Sequence, residues 1–278
     1  MRLSARLLPL ASFALLSALA CGRESAVGPA APKASPPSIL FVTLDTTRAD
    51  AIGPEATGIT TPAFNAIAAQ GRRYRFAYTA VPQTLPSHTS MMTGLYPAGH
   101  GVHENARAVP PQRALLAEQL RGAGYHTAAF VSAFALARRF GLARGFETYD
   151  DDFGADRAER TARETTDRVL AWLPHRPAGG PLFLWVHYYD PHFPYTPPEP
   201  FASKYAKDPY RGEVASMDEQ LGRLVAAVRA QLGDVAIVLV GDHGEGLGEH
   251  GEQQHGNLLY QSTMHVPLVI AGPGVTSG

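Results

Sequence analysis

Ser38 to Leu44 (SILFVTL) is a continuous apolar run that stops at Asp45. Runs of this kind suit a strand buried on both faces. The pattern returns at His126–Ser132, at Pro181–His187 (PLFLWVH), at Val235–Val240 (VAIVLV) and at Val266–Ala271. Segments with helical spacing lie between these runs. Thr61-Pro62 opens one through Ala69, and others cover residues 86–93, 112–122, 155–173 and 213–231. Pro62 and Pro86 suit a first helical turn. Strands alternating with helices predict an α/β fold: a mostly parallel central sheet with helices on both faces. Reactive groups in such sheets collect beyond the carboxyl ends of the strands. Here those ends carry Asp45, the segment Asp190–His192, and Asp242-His243.

The start of the chain follows neither pattern. Arg2 and Arg6 precede an apolar stretch, Leu7–Ala20, with small residues just before Cys21. Residues 1–21 read as a secretory signal, too short and too weakly flanked for a stable membrane span. Cys21-Gly22 at the cleavage point resembles a bacterial lipoprotein signal, in which Cys21 is lipidated; Ala18 stands where leucine is usual. A plain secretion signal with a chance cysteine is the alternative. Cys21 is the only cysteine, so no internal disulfide forms. Residues 22–37 (GRESAVGPAAPKASPP) have the composition of a flexible linker, which leaves residues 38–278 as the folded domain. These features predict a bacterial envelope protein, secreted or lipid-anchored, in the periplasm or at the outer membrane. Its only membrane contact would be the N-terminal lipid. A formal net charge of −1, from 24 basic and 25 acidic residues, argues against a nucleic-acid partner.

Candidate chemistry sits at the strand ends. Asp242-His243-Gly244-Glu245 directly follows an apolar run, and adjacent oxygen and nitrogen donors suit a divalent ion. The same residues also read as a polar turn. Asp45 either serves that ion or caps a short turn. Thr84 precedes Pro86, which places its hydroxyl near a helix's positive end. It is either a capping residue or a nucleophile, and a nucleophilic threonine needs a metal or base to activate it. His192 sits between Pro191 and Pro194, where it can bind an anion or protonate a leaving group, or be structural. His255 lies shortly past the Asp-His pair; its neighbour His250 also fits a surface position.

Taken in order, these segments resemble the sulfatase branch of the alkaline phosphatase superfamily, from about Ser38 to Gly274. The resemblance rests on Leu44-Asp45-Thr46, Thr84-Leu85-Pro86-Ser87-His88-Thr89, Thr93-Gly94-Leu95-Tyr96-Pro97, Asp190-Pro191-His192-Phe193-Pro194 and Gly241-Asp242-His243-Gly244-Glu245, with Tyr260 and Val266-Pro267-Leu268 completing it. It implies that Asp45, Asp242, His243 and Thr84 hold a divalent cation, with Thr84 as nucleophile. It implies that His192 and His255 contact the ester, His255 standing where other members carry a substrate-binding lysine. His88 stands where they carry an arginine supporting the nucleophile, and Asn105 is a further substrate-binding candidate.

Two departures matter. Sulfatases usually convert a cysteine or serine at position 84 into formylglycine, whereas oxidised threonine would be a ketone. Thr46 replaces a second metal-binding aspartate, so Mn or Zn is favoured over Ca, which stays possible. The implied activity is hydrolysis of an anionic phosphate or sulfate ester, with phosphoesters favoured. The alternatives are a sulfuric ester hydrolase without formylglycine and a phosphoglycerol- or phosphoethanolamine-type headgroup transferase. Family members usually continue into a smaller C-terminal subdomain, which the resemblance implies is missing from these 278 residues.

Overall fold

The structure, a computed structural model, describes residues 36–278. The signal segment, Cys21 and the 22–37 linker up to residue 35 lie outside the described residues. In chain order the first elements are β1 (Ile39–Leu44), α1 (Pro62–Gln70), β2 (Gly71–Arg73), β3 (Ala77–Tyr78), α2 (Thr84–Thr93), α3 (Pro97–His100), α4 (Leu116–Gly122), β4 (His126–Phe130) and β5 (Thr148–Asp150). There follow α5 (Ala162–Trp172), β6 (Leu182–Tyr188), α6 (Phe201–Lys204), α7 (Pro209–Leu232), β7 (Ala236–Gly241), α8 (Gln261–Met264), β8 (His265–Val266) and β9 (Leu268–Ala271).

The main sheet has the order β2-β9-β7-β1-β6-β4-β5. From β7 to β5 all neighbours are parallel. At the other edge β9 runs antiparallel to β7, and β2 antiparallel to β9. The uninterrupted apolar sequence of β1 fits its central place, since both its faces are covered. Leu40, Val42 and Leu44 pack with Phe64 of α1, Val169 of α5 and Leu221 and Leu224 of α7. On the opposite face Phe41, Phe183 and Trp185 pack with Leu85 and Met92 of α2 and Ala117 of α4. Burying each such side chain contributes roughly 1.5–3 kcal/mol. The expected α/β sheet with helices on both faces is therefore present.

Register decides where the chemistry converges. Leu44 is level with Tyr188 of β6 and Gly241 of β7. The next residues along these three strands, Asp45, Tyr189 and Asp242, leave the sheet side by side.

Several boundaries differ from the sequence reading, each for a local reason. Val266–Ala271 is not one strand: Pro267 cannot donate to a ladder, so β8 pairs with β3 while β9 joins the main sheet antiparallel. The helix expected from residue 155 begins at Ala162, where Thr161 and Glu164 form a reciprocal capping box. The helix expected from residue 112 begins at Leu116, after a turn at Pro110. The helix expected from residue 213 begins earlier, at Pro209, capped by Asp208. Short edge strands β2, β3 and β5 were not anticipated. Among the described residues no helix is long and apolar enough to cross a membrane.

Candidate metal centre and catalytic site

Thr84 is the first residue of α2 rather than its cap, and its side chain makes no capping bond. Its Oγ1 lies 3.5 Å from Asp45 Oδ2 and 3.4 Å from His243 Nε2. His243 Nε2 is 3.5 Å from Asp45 Oδ1 and 3.5 Å from Asp242 Oδ2. Asp45, Asp242 and His243 offer ligand atoms within 4.8 Å of one another. All four side chains are buried. Residues spread along the chain thus meet at one point, and Asp45 is not a turn cap.

Each carboxylate is satisfied on one side only. The His243 amide donates to Asp242 Oδ1 at 2.6 Å, while Asp242 Oδ2 has no hydrogen-bond partner. Asp45 Oδ1 is also unpartnered. Bare buried carboxylate oxygens are costly unless a cation meets them. His243 Nδ1 donates to the Gly244 carbonyl at 3.0 Å, which leaves the Nε2 lone pair facing the cluster. Burial, with the charge of His255, holds the His243 pKa down to about 3, so the ring is neutral. Burial resists ionisation of Asp45, but His187 beside it and the neighbouring His243 imidazole outweigh it and hold the carboxyl well below its usual range. Asp242 goes the other way: burial and the neighbouring Asp45 push it well above. Two carboxylates, a neutral imidazole nitrogen and a hydroxyl fit a divalent cation.

Thr46 takes no part, because its hydroxyl donates to the Pro191 carbonyl. Gly244 is required by close approach: a Cβ there would collide with the Ser262 carbonyl.

The structure sorts the remaining candidates. His88 sits one turn into α2, with Nδ1 donating to the Thr84 carbonyl at 2.7 Å. Its Nε2 accepts from the Thr43 hydroxyl at 2.9 Å, and Thr43 Oγ1 in turn accepts from Trp185 Nε1 at 3.0 Å. Both ring nitrogens are therefore engaged. His88 holds the backbone of Thr84 and has no lone pair for a cation, although it lies beside His187 and Asp242. Asn105 Oδ1 accepts from the Leu85 amide at 2.9 Å and so ties down the start of α2. With Leu85 occupied and Pro86 lacking an N–H, the helix start offers fewer free donors to an anion than expected.

His255 stacks beside His243 with ring centroids 4.4 Å apart, and His192 lies 5.3 Å beyond it. His192 Nδ1 donates to the Phe193 carbonyl at 2.8 Å, and its ring stacks on Tyr189 at 4.2 Å. His250 is exposed, stacked on Tyr260 at 3.7 Å, in the surface role left open for it. Asp190 caps the start of α5 by accepting from the Ala162 amide at 2.6 Å.

Two residues were assigned no role by the sequence reading. Glu245 is fully buried; its Oε1 accepts from His255 Nδ1 at 3.0 Å and its Oε2 from the Tyr195 hydroxyl at 3.0 Å. Burial alone would lower the His255 pKa, but the Glu245 hydrogen bond and charge outweigh it and raise it. His187, buried in β6, lies 3.3 Å from Asp45 Oδ2. Glu245 stands in the Asp-His motif and was a visible carboxylate, whereas His187 sits in an apolar run that reads as core.

Comparison with known proteins places this arrangement. The sulfatase family's sequence model matches residues 37–278. The chain belongs to the sulfatase family. It is 24% identical to an uncharacterised sulfatase, YidJ, of Escherichia coli K12, over 85% of this chain and 63% of that protein. It is 23% identical to an arylsulfatase of Clostridium perfringens, over 86% of this chain and 69% of the relative. The chain thus spans less than two thirds of the YidJ sulfatase. Among solved structures it resembles a phosphonate monoester hydrolase of Agrobacterium radiobacter, with a TM-score of 0.71, 20% identity and coverage of 86% of this chain and 68% of that one. That likeness supports the sulfatase-type fold.

Proposed function

We propose that this sulfatase-family protein is a metal-dependent hydrolase that cleaves phosphate or sulfate esters by attack of Thr84, with phosphoesters favoured. The observation that carries the reading is the Thr84 hydroxyl, 3.5 Å from Asp45 and 3.4 Å from His243, beside two bare buried carboxylate oxygens. Asp45, Asp242, His243 and Thr84 would hold the ion. When bound, a divalent ion supplies Lewis acidity that makes an otherwise weak hydroxyl nucleophilic. His88 and Asn105 keep the first turn of α2, and so Thr84, in place. Thr84 Oγ1, its proton released to water, would then bond to phosphorus or sulfur in line with the departing alkoxide, whose bond breaks as His255 or His192 donates its proton. Glu245 favours the protonated form of His255, which suits that role. Water afterwards releases the group from Thr84.

Preference for phosphoesters rests on the threonine, which cannot give formylglycine. Sulfate esters are the second reading, supported by the sulfatase names of the curated relatives. We place the enzyme at the bacterial envelope on the strength of the 1–21 signal and Cys21. The test is a panel of nitrophenyl phosphate, a phosphodiester and nitrophenyl sulfate with Mn, Zn or Ca, applied to the wild type and to Thr84→Ala. We expect the variant to stay folded and lose all turnover. Turnover at the wild-type rate in Thr84→Ala would refute the assignment.

A further inference from the structure

The resemblance assigns nothing to His187, yet it is fully buried at the end of β6, a strand otherwise built of leucine, phenylalanine, tryptophan, valine and tyrosine. Its Nδ1 accepts the Ser132 amide at 3.4 Å. An imidazole that accepts at Nδ1 carries its proton on Nε2 when neutral. That Nε2 lies 3.3 Å from Asp45 Oδ2 and is buried with no hydrogen bond of its own in this structure, so Asp45 is the acceptor within its reach. Ser132 also grips His187 from the other side, its hydroxyl donating to the His187 carbonyl. The Ser132 hydroxyl meets Thr165 Oγ1 at 2.7 Å, which accepts from Arg160 Nε at 3.2 Å. Ser132, Thr165 and Arg160 are buried too, so the ring cannot easily turn.

We propose that His187 is a positioning residue: as the Nε2–H tautomer it holds Asp45 Oδ2 and leaves Oδ1 aimed at the cation. Asp45 is thereby oriented as Asp242 is, where the His243 amide takes one oxygen and leaves the other bare. An imidazole used as a ligand would need its Nε2 lone pair free, and the Ser132 amide argues against that tautomer. The inference rests on the reading of Asp45 as a metal ligand.

The experiment is calorimetric titration of the metal-stripped protein with Mn²⁺. Loss of a partner that orients a metal ligand typically costs about 10–100-fold in affinity. We expect His187→Ala to lose that much. We expect His187→Gln, whose side-chain N–H can still donate to Asp45, to recover most of it. Wild-type Mn²⁺ affinity in a folded His187→Ala overturns the proposal. So does a His187→Gln variant as weak as His187→Ala, which would point to direct ligation. If His187→Ala does not fold, His187→Gln decides alone: near-wild-type affinity supports the role, and a tenfold or greater loss refutes it. Asp45→Ala separates this idea from the metal centre itself. Unchanged binding in Asp45→Ala removes both, whereas lost binding there with unchanged binding in His187→Ala removes only the positioning role.

Discussion

Asp242→Asn tests whether the site is built around a cation at the expense of stability. The ligand atoms of Asp45 and Asp242 lie within 4.8 Å and both side chains are buried. Two unit charges at that distance repel by about 3.5 kcal/mol at an effective dielectric of ~20. Proton uptake by Asp242 relieves part of this without metal, so ~3.5 kcal/mol is a ceiling. Asparagine keeps the shape and the acceptor for the His243 amide but removes the charge. One kcal/mol moves the melting temperature of a domain this size by about 2–4 °C. In chelator, Asp242→Asn should therefore melt several degrees above the wild type. With Mn²⁺ at about 100 times Kd the wild type should gain ~2.7 kcal/mol, and the variant almost nothing.

The effect has a definite pH signature. The Asp242 pKa is raised above 3.8 in the fold, so its contribution to stability is present below that pH and is lost as pH rises through the folded value. The metal-free variant should lack this decline. Thermal unfolding by circular dichroism, in chelator and in Mn²⁺ from acid to neutral pH, reads all three effects. A metal-free Asp242→Asn protein less stable than metal-free wild type, or equal stabilisation of both by Mn²⁺, would refute the reasoning.

Two further perturbations probe other parts of the molecule. Glu245→Gln removes the charge that raises the His255 pKa, so the alkaline limb of the kcat/KM profile should move to lower pH. Activity should fall about tenfold or more, since a positioned proton donor contributes roughly 10²–10⁴; an unmoved limb would show that Glu245 does not tune the reaction. Thr161→Ala breaks the capping box at α5, where the Thr161 hydroxyl accepts the Glu164 amide at 3.2 Å. It should cost ~1 kcal/mol, read as a melting temperature lower by about 2–4 °C, with kcat unchanged.

Much of the fold was legible because its central strands announce themselves. β1, β6 and β7 lie within one residue of the apolar runs that predicted them, since a strand buried on both faces must be apolar throughout. The edge strands were not legible. Gly71–Arg73, Ala77–Tyr78 and Thr148–Asp150 are two or three residues long and take their conformation from a neighbour's ladder, not from their own pattern. Pro267 was visible, but that it divides the last run between two sheets depends on what lies on either side.

Local pattern was enough to single out four oxygen and nitrogen donors: Asp45, Thr84, Asp242 and His243 follow or precede recognisable elements, and their chemical types suit a cation. Tertiary structure alone decided which groups hold those donors in place. His187 reads as a core position until β6 is set beside β1, where it reaches Asp45. His88 has the makings of a ligand until Thr84 and Thr43 are seen to occupy both its nitrogens. Glu245 is an ordinary acidic residue until the 244–255 loop folds back and turns it toward His255. The physical reason is that side-chain type is local, whereas the hydrogen bonds that settle tautomer, charge and orientation come from residues far away in the chain.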